Sequence, residues 1–322
     1  MNKKDLRIVY MGTPDFAVAP LKVLLENSYN VVGVITMPDK PAGRGYQLQQ
    51  SPVKKYALEK GLDILQPVKL KDETFIEQLR NWKADLQIVV AFRMLPEIVW
   101  NMPPLGTFNL HASLLPQYRG AAPINRAIMN GEKRTGVTTF FLSHEIDTGR
   151  IIFREGTVIG EKENAGDIHD RLMQIGADLV AKTVDAILHD NYETTEQKEY
   201  VVEAETLNEA PKIFKEDCHI DWKNKRENVY NQIRGLSPYP GAWSEIETPD
   251  KKRYNVKIYA SECKTGYMDV NEGTIVSDGK HFMDVVVSDG FISITSLQIA
   301  GKKRMDIQDF LRGFKIEGCT MV

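Results

Sequence analysis

Leu86-Gln-Ile-Val-Val-Ala91 decides how the rest of the chain is read. It is short and nearly all apolar, as expected of a central strand buried on both faces of a parallel sheet. On either side of it, β-branched runs at Leu6–Met11, Val31–Thr36, Gly106–Leu110 and Gly136–Leu142 read as further strands. Helical patterns fill several of the gaps, at Asp15–Glu26, Pro52–Lys60, Asp72–Trp82 and Ala122–Asn130. A longer helix is expected over Ala165–His189, where Ile168, Leu172, Ile175, Leu179 and Val180 recur at helical spacing. This alternation predicts an α/β fold over residues 1–190: a Rossmann-like, mostly parallel sheet with helices on both faces.

Composition changes beyond that point. Tyr192–Glu209 is polar and acidic, so residues 191–210 read as a linker. Residues 211–322 carry a helix near Lys225–Arg234 and short strands such as Val256–Ala260, Thr274–Val276, Met283–Val287 and Ile292–Leu297. Turn signals at Gly266, Gly273, Gly279 and Gly290 separate them, a spacing that suits a small OB-like β-barrel.

Whole-chain properties narrow the function classes. Apolar residues at 42% and charged residues at 26% over 322 positions are ordinary globular usage, which excludes disordered, collagen-like and coiled-coil chains. No apolar run is long enough to span a membrane, so no membrane partner is expected. The start, Met1–Phe16, reads as a first strand rather than a signal peptide. A formal charge of −3 argues against a protein coated in positive charge, while leaving room for a local basic patch. Cys218, Cys263 and Cys319 are scattered, with no CxxC and no HExxH elsewhere. Neither a disulfide framework nor a metal site is expected, and a reducing cytoplasm fits.

Three segments carry candidate chemistry. Met11-Gly-Thr-Pro-Asp15 follows the first strand, where a dinucleotide fold would place G-x-G-x-x-G, and it holds only one glycine. It reads either as a strand-to-helix turn capped by Thr13 or Asp15, or as a substrate loop. The second segment, Phe108-Asn-Leu-His-Ala-Ser-Leu-Leu-Pro116, puts Asn109 and His111 on one face at a strand's end, where open α/β sheets bind ligands. In the third, Leu142-Ser-His-Glu-Ile-Asp-Thr-Gly149, Asp147 is placed to orient His111 by accepting from one imidazole nitrogen. His144 is a rival proton carrier, lacking an asparagine partner beside it. With no Gly-x-Ser-x-Gly elbow and no cysteine near these residues, the set suits direct acyl transfer to an external nucleophile rather than a covalent hydrolase.

The trio Asn109-x-His111, Ser113-Leu-Leu-Pro116 with Arg119-Gly-Ala-Ala-Pro-Ile124, and Asp147-Thr-Gly149 resembles the folate-dependent formyltransferases. Met11-Gly-Thr-Pro-Asp-Phe16, Pro38-Asp-Lys-Pro-Ala-Gly-Arg-Gly45, Ser51-Pro-Val-Lys54, Ile220-Asp-Trp222, Ile233-Arg234 and Pro238-Tyr-Pro240 resemble the branch that acts on an aminoacyl-tRNA, and the likeness runs almost end to end. It implies transfer of a formyl group from 10-formyltetrahydrofolate to the α-amino group of initiator methionyl-tRNA, for translation initiation. It makes Asn109, His111 and Asp147 the catalytic residues and lays Ser113, Leu114, Leu115 and Pro116 against the folate. The folate is a co-substrate, with no tightly bound cofactor. Arg44, with Lys40, is the tRNA-binding element of the long 37–50 loop. Residues 1–190 become the formyltransferase domain and 211–322 the tRNA-binding barrel, in a protein expected to be monomeric.

Two departures from the family pattern stand out. Ala91-Phe-Arg-Met-Leu-Pro96, expected to line the pterin pocket, is a residue shorter and lacks the glycine of Ala-Tyr-Gly. Glu145-Ile146 replace Gly-Leu or Gly-Met. The alternatives are a formyltransferase acting on an amino sugar nucleotide and a non-catalytic RNA-binding protein on a decayed enzyme fold. Pro38–Lys54 has no evident use with a small sugar, and intact Asn109, His111 and Asp147 speak against decay. Lys251-Lys-Arg253 and Lys302-Lys-Arg304 are either solvated turns or tRNA contacts.

Overall fold

Alternation of strand and helix dominates the first part of the chain, as the spacing predicts. The computed structural model describes residues 2–42, 47–201 and 206–322. The strands are β1 (Arg7–Gly12), β2 (Asn30–Ile35), β3 (Lys40–Ala42), β4 (Gln47–Gln49), β5 (Ile64–Leu65), β6 (Leu86–Val90), β7 (Thr107–His111), β8 (Arg119–Gly120), β9 (Arg134–Phe141) and β10 (Ile151–Val158). Helices α1 (Val18–Glu26), α2 (Pro52–Glu59), α3 (Glu73–Asn81), α4 (Glu97–Trp100), α5 (Pro123–Met129) and α6 (Ala165–Leu188) intervene or follow.

Strand order in the first sheet is β10-β9-β7-β6-β1-β2-β5. The pairs β1–β2, β1–β6, β2–β5 and β6–β7 are parallel, and β9 joins β7 antiparallel. β6 is buried at every position, which is why its composition reads as apolar throughout. Its one polar residue, Gln87, accepts from the Thr107 hydroxyl at 3.1 Å. On one face Val9, Met11, Ile35 and Val89 pack with Phe75, Ile76, Leu79 and Val99 of the helices. Ser51 and Asp72 cap α2 and α3 by accepting from the amides of Lys54 and Phe75. The cap expected at Thr13 or Asp15 does not form: a 3₁₀ turn at Asp15–Ala17 leads into α1 with Pro14 at the cap position and no side-chain cap bond.

The remaining elements are β11 (Glu209–Ala210), α7 (Arg226–Leu236), β12 (Ala242–Glu247), β13 (Arg253–Lys264), β14 (Ile275–Ser277), β15 (Met283–Val287), β16 (Gly290–Ile299), β17 (Met305–Asp306), α8 (Ile307–Gly313) and β18 (Thr320–Met321). Their sheet runs β14-β15-β16-β13-β12-β18, with β17 on β16. A bridge between Thr274 and Thr320, and the Met321 amide donating to Gly273 at 2.8 Å, bring the first and last strands together. The result is a nearly closed antiparallel barrel around Val256, Ile258, Val285, Ile292, Ile294 and Leu297. The expected turn glycines 266, 273, 279 and 290 all take positive φ. The chain forms two compact units, one of residues 1–120, 135–157 and 169–209, the other of 121–134, 158–168 and 210–322.

Candidate active site

The candidate residues lie on the carboxyl edge of the parallel strands. Val90 pairs with Gly12 on one side and with Leu110 on the other, so the ends of β1, β6 and β7 are level. Asn109 and His111, two apart on β7, share a face. The side-chain oxygen of half-buried Asn109 is buried and has no hydrogen-bond partner among the described residues. The Thr13 hydroxyl, one residue beyond β1, is in the same state. Buried polar atoms are normally paired, so two orphans at one sheet edge are the kind of exception that marks a functional site.

His111 is buried between two turns. Its Nε2 lies 2.8 Å from the carbonyl oxygen of Tyr118. A carbonyl only accepts, so Nε2 carries a hydrogen and donates it. Nδ1 is left facing Asp147, 3.9 Å from Oδ2. That is an ion-pair distance for a protonated ring and too long for a hydrogen bond. The tautomer, expected from the sequence to be set by Asp147, is set by the Tyr118 carbonyl instead. Asp147 is held by the Gly120 amide, which donates to Oδ2 at 3.0 Å. Tyr118 and Asp147 both have left-handed backbones, with φ of 61° and 54°. Such a conformation costs a non-glycine residue on the order of 1–3 kcal/mol and persists only where surroundings enforce it. Part of that enforcement is visible at Gly149, where a Cβ would overlap the Phe141 carbonyl oxygen.

The turn after His111 is spent largely on its own support. Ser113 is buried, donates to the Gln117 carbonyl at 2.6 Å, and its own carbonyl accepts from the Thr138 hydroxyl at 2.7 Å. Leu115 packs with Phe140 and Ile151, and Pro116 is buried. Leu114, half-buried, is the one of the four that keeps side-chain surface. His144 stands in a different setting: it is exposed, 3.7 Å from Glu97 and edge-on to Trp100. Arg93, at the departure from the family pattern, folds back to donate to the carbonyls of Pro67 and Val68. Burial pulls its guanidinium below the usual arginine range.

Lys40 is exposed on the β3–β4 hairpin, whereas Arg44 falls outside the described residues. The foot of that hairpin is pinned. Asp39 accepts from Lys54 at 2.6 Å and from Gln66 at 2.9 Å, and Gln66 also donates to the Met37 carbonyl at 2.8 Å. In the second unit, Lys251, Lys252 and Arg253 are each paired, with Glu247, Asp250, and Glu245 plus Glu247 respectively. That run is a self-neutralised turn. Lys302 and Lys303 are exposed, and Arg304 donates to Ser296 at 2.9 Å.

Two residues that sequence reasoning did not single out take part in the site's construction: Tyr118, through its backbone carbonyl, and Gln197. Gln197 falls in the stretch read as a linker. It is buried in a 3₁₀ turn and donates to the carbonyls of Asp147 and Gly149 at 2.7 and 3.0 Å. Nothing in a polar run announces a buried amide. Among the described residues there is no group of three or more His, Cys, Asp or Glu that could hold a metal ion. None of their helices is long and apolar enough to cross a membrane.

Two family models match the chain: formyl transferase over residues 6–184, and the formyl transferase C-terminal domain over residues 212–315. The chain belongs to the formyl transferase family. Within it, the likeness is to methionyl-tRNA formyltransferases. That of Bacteroides thetaiotaomicron is 60% identical over 98% of both chains, and that of Parabacteroides distasonis matches at the same identity and coverage. Among solved structures, WlaRD, a sugar 3N-formyl transferase in the presence of dTDP and 5-N-formyl-THF, shares the fold. Its TM-score is 0.63, at 19% identity over 94% of this chain and 100% of that one.

Proposed function

We propose that this chain transfers the formyl group of 10-formyltetrahydrofolate to the α-amino group of initiator methionyl-tRNA. One observation carries the reading: the 60% likeness to methionyl-tRNA formyltransferases extends through both units of the chain. The geometry at the end of β7 fits the chemistry. A free α-amine has a pKa of about 7.7–8.0, so a useful fraction is neutral near neutral pH. Its nitrogen attacks the formyl carbon, forming the new C–N bond and a tetrahedral oxyanion. The carboxamide of Asn109 donates to that oxygen, joined by His111 only after its neutral ring has taken up the proton leaving the amine.

Because Nε2 is committed to Tyr118, His111 works through Nδ1. Nδ1 takes the proton leaving the amine and returns it to N10 of the folate as the C–N10 bond breaks, so charge and protons balance. The Asp147 carboxylate stabilises the ring while it carries that proton. Ser113–Pro116 form the wall against which the folate lies, with Leu114 as its half-buried member. Lys40 and Arg44 meet the acceptor end of the tRNA.

The test offers purified protein charged initiator tRNA and an amino sugar nucleotide together, with 10-formyltetrahydrofolate. Formyl is expected on the methionine of the tRNA. Formyl found on the sugar alone refutes the substrate assignment.

A further inference from the structure

His111 is held from two sides by separate turns, the Tyr118 carbonyl at one ring nitrogen and the Asp147 carboxylate facing the other. The Gly120 amide, donating to Asp147, is one tie between the two turns. Gln197 supplies a second tie. Its Oε1 accepts from Arg119 twice, from Nε at 3.0 Å and from Nη2 at 2.6 Å. Its Nε2 donates twice, to the Asp147 and Gly149 carbonyls. Arg119 is the residue after Tyr118, so the amide joins the two turns that flank the imidazole. All four hydrogen-bonding positions of the carboxamide are used, which is what a buried amide at 4% exposure requires.

The turn that carries Gln197 is itself fixed. Thr195 exchanges backbone bonds with Ile151 at 2.8 and 2.9 Å. Arg150 donates to the Thr194 hydroxyl and carbonyl at 2.7 and 2.6 Å. Glu196 and Glu199 close a capping box around it. The amide is therefore delivered from a rigid base. The groups it holds are the main-chain carbonyls of Gly149 and of Asp147, whose φ lies in the left-handed region, and the guanidinium of Arg119, which follows left-handed Tyr118.

We propose that Gln197 is a positioning residue for the transfer reaction: it clamps the 118–120 and 147–149 turns together, so that the Asp147 carboxylate stays opposite Nδ1 of His111. The inference rests on the reading of Asn109, His111 and Asp147 as the catalytic set. Loss of the clamp lets Asp147 drift from the ring. The protonated imidazole then loses the carboxylate that faces it. Substrate surfaces are untouched, so the loss falls on kcat rather than KM.

Gln197→Ala is the first variant. Gln197 borders a cavity of about 560 Å³ together with Arg119, Thr148 and Gly149, so water can reach the carbonyls that truncation frees. Gln197→Glu is the second: it keeps the acceptor for Arg119 and loses both donated bonds. His111→Ala is the control for the underlying reading. Expected for Gln197→Ala are a roughly tenfold or larger fall in kcat, KM for tRNA and folate within about twofold, and a His111 imidazole ¹⁵N NMR signal displaced from its wild-type position. Gln197→Glu shows the same fall in kcat, and carries the test if Gln197→Ala does not fold. Wild-type kcat with an undisplaced His111 ¹⁵N signal in a folded Gln197 variant overturns the clamp. If His111→Ala also turns over like wild type, the catalytic set itself is wrong; if His111→Ala is inactive, only the clamp is.

Discussion

Asn109 and His111 sit two residues apart on one strand, yet their surroundings differ. His111 is enclosed and both its ring nitrogens face protein groups, while the Asn109 oxygen is buried without a partner among the described residues. The amide is thus the freer of the two to turn toward a developing oxyanion. Removing one such donor typically costs about 3–4 kcal/mol of transition-state stabilisation. Asn109→Ala is expected to lower kcat by roughly 10²–10³-fold, with affinity for initiator tRNA unchanged in a filter-binding assay. A kcat within a few-fold of wild type removes Asn109 from the oxyanion role. At this scale the residue types at the site were legible from spacing, because side chains on a strand alternate. The partner that sets the His111 tautomer was not. It is a main-chain carbonyl of Tyr118, and every residue carries one.

Among the elements, β6 and the β3–β4 hairpin mark the two ends of what patterns reveal. A strand covered on both faces must be apolar throughout, so Leu86–Val90 declares itself. β12, Ala242–Glu247, has every second residue only half-buried, and its polar members hide it in the surrounding sequence. The hairpin reads only as a long loop, since its anchoring depends on Asp39, Lys54 and Gln66 meeting across a distance in sequence. Hydrogen bonds from Lys54, then Gln66, hold the Asp39 carboxyl below the ordinary aspartate range. A lowered carboxyl stabilises the fold at pH above its unfolded value and loses that contribution as pH falls through its folded value. The stability of wild type over Asp39→Asn, measured by urea midpoints, is therefore expected to hold from neutral pH to about pH 4 and to shrink toward zero below it. A difference that grows on acidification contradicts the anchor.

For the whole molecule, net charge says little about where a polyanion docks. A balance of −3 conceals how charges are distributed, and one of the two Lys-Lys-Arg runs of the second unit is cancelled by its own neighbours. Cations already paired with carboxylates release few counterions when RNA approaches. The double variant Lys251→Ala/Lys252→Ala is accordingly expected to bind initiator tRNA within about twofold of wild type, with the same slope of log affinity against log salt. A slope shallower by about 1–2 places those lysines in the interface. Architecture was readable at this scale because alternation and glycine-marked turns are compositional signals. The role of Gln197 was not, because a hydrophilic stretch between two globular patterns looks the same whether it is solvated or folded inward.

The short strand Thr320–Met321 touches both β12 and the residue preceding β14, so it is the seam of the barrel. It is also made after every other strand of that unit. A growing polypeptide therefore presents two raw sheet edges to its surroundings until the segment beyond α8 leaves the ribosome. Unpaired edges invite pairing with other chains. A chain lacking the segment beyond α8 leaves both of those edges unpaired.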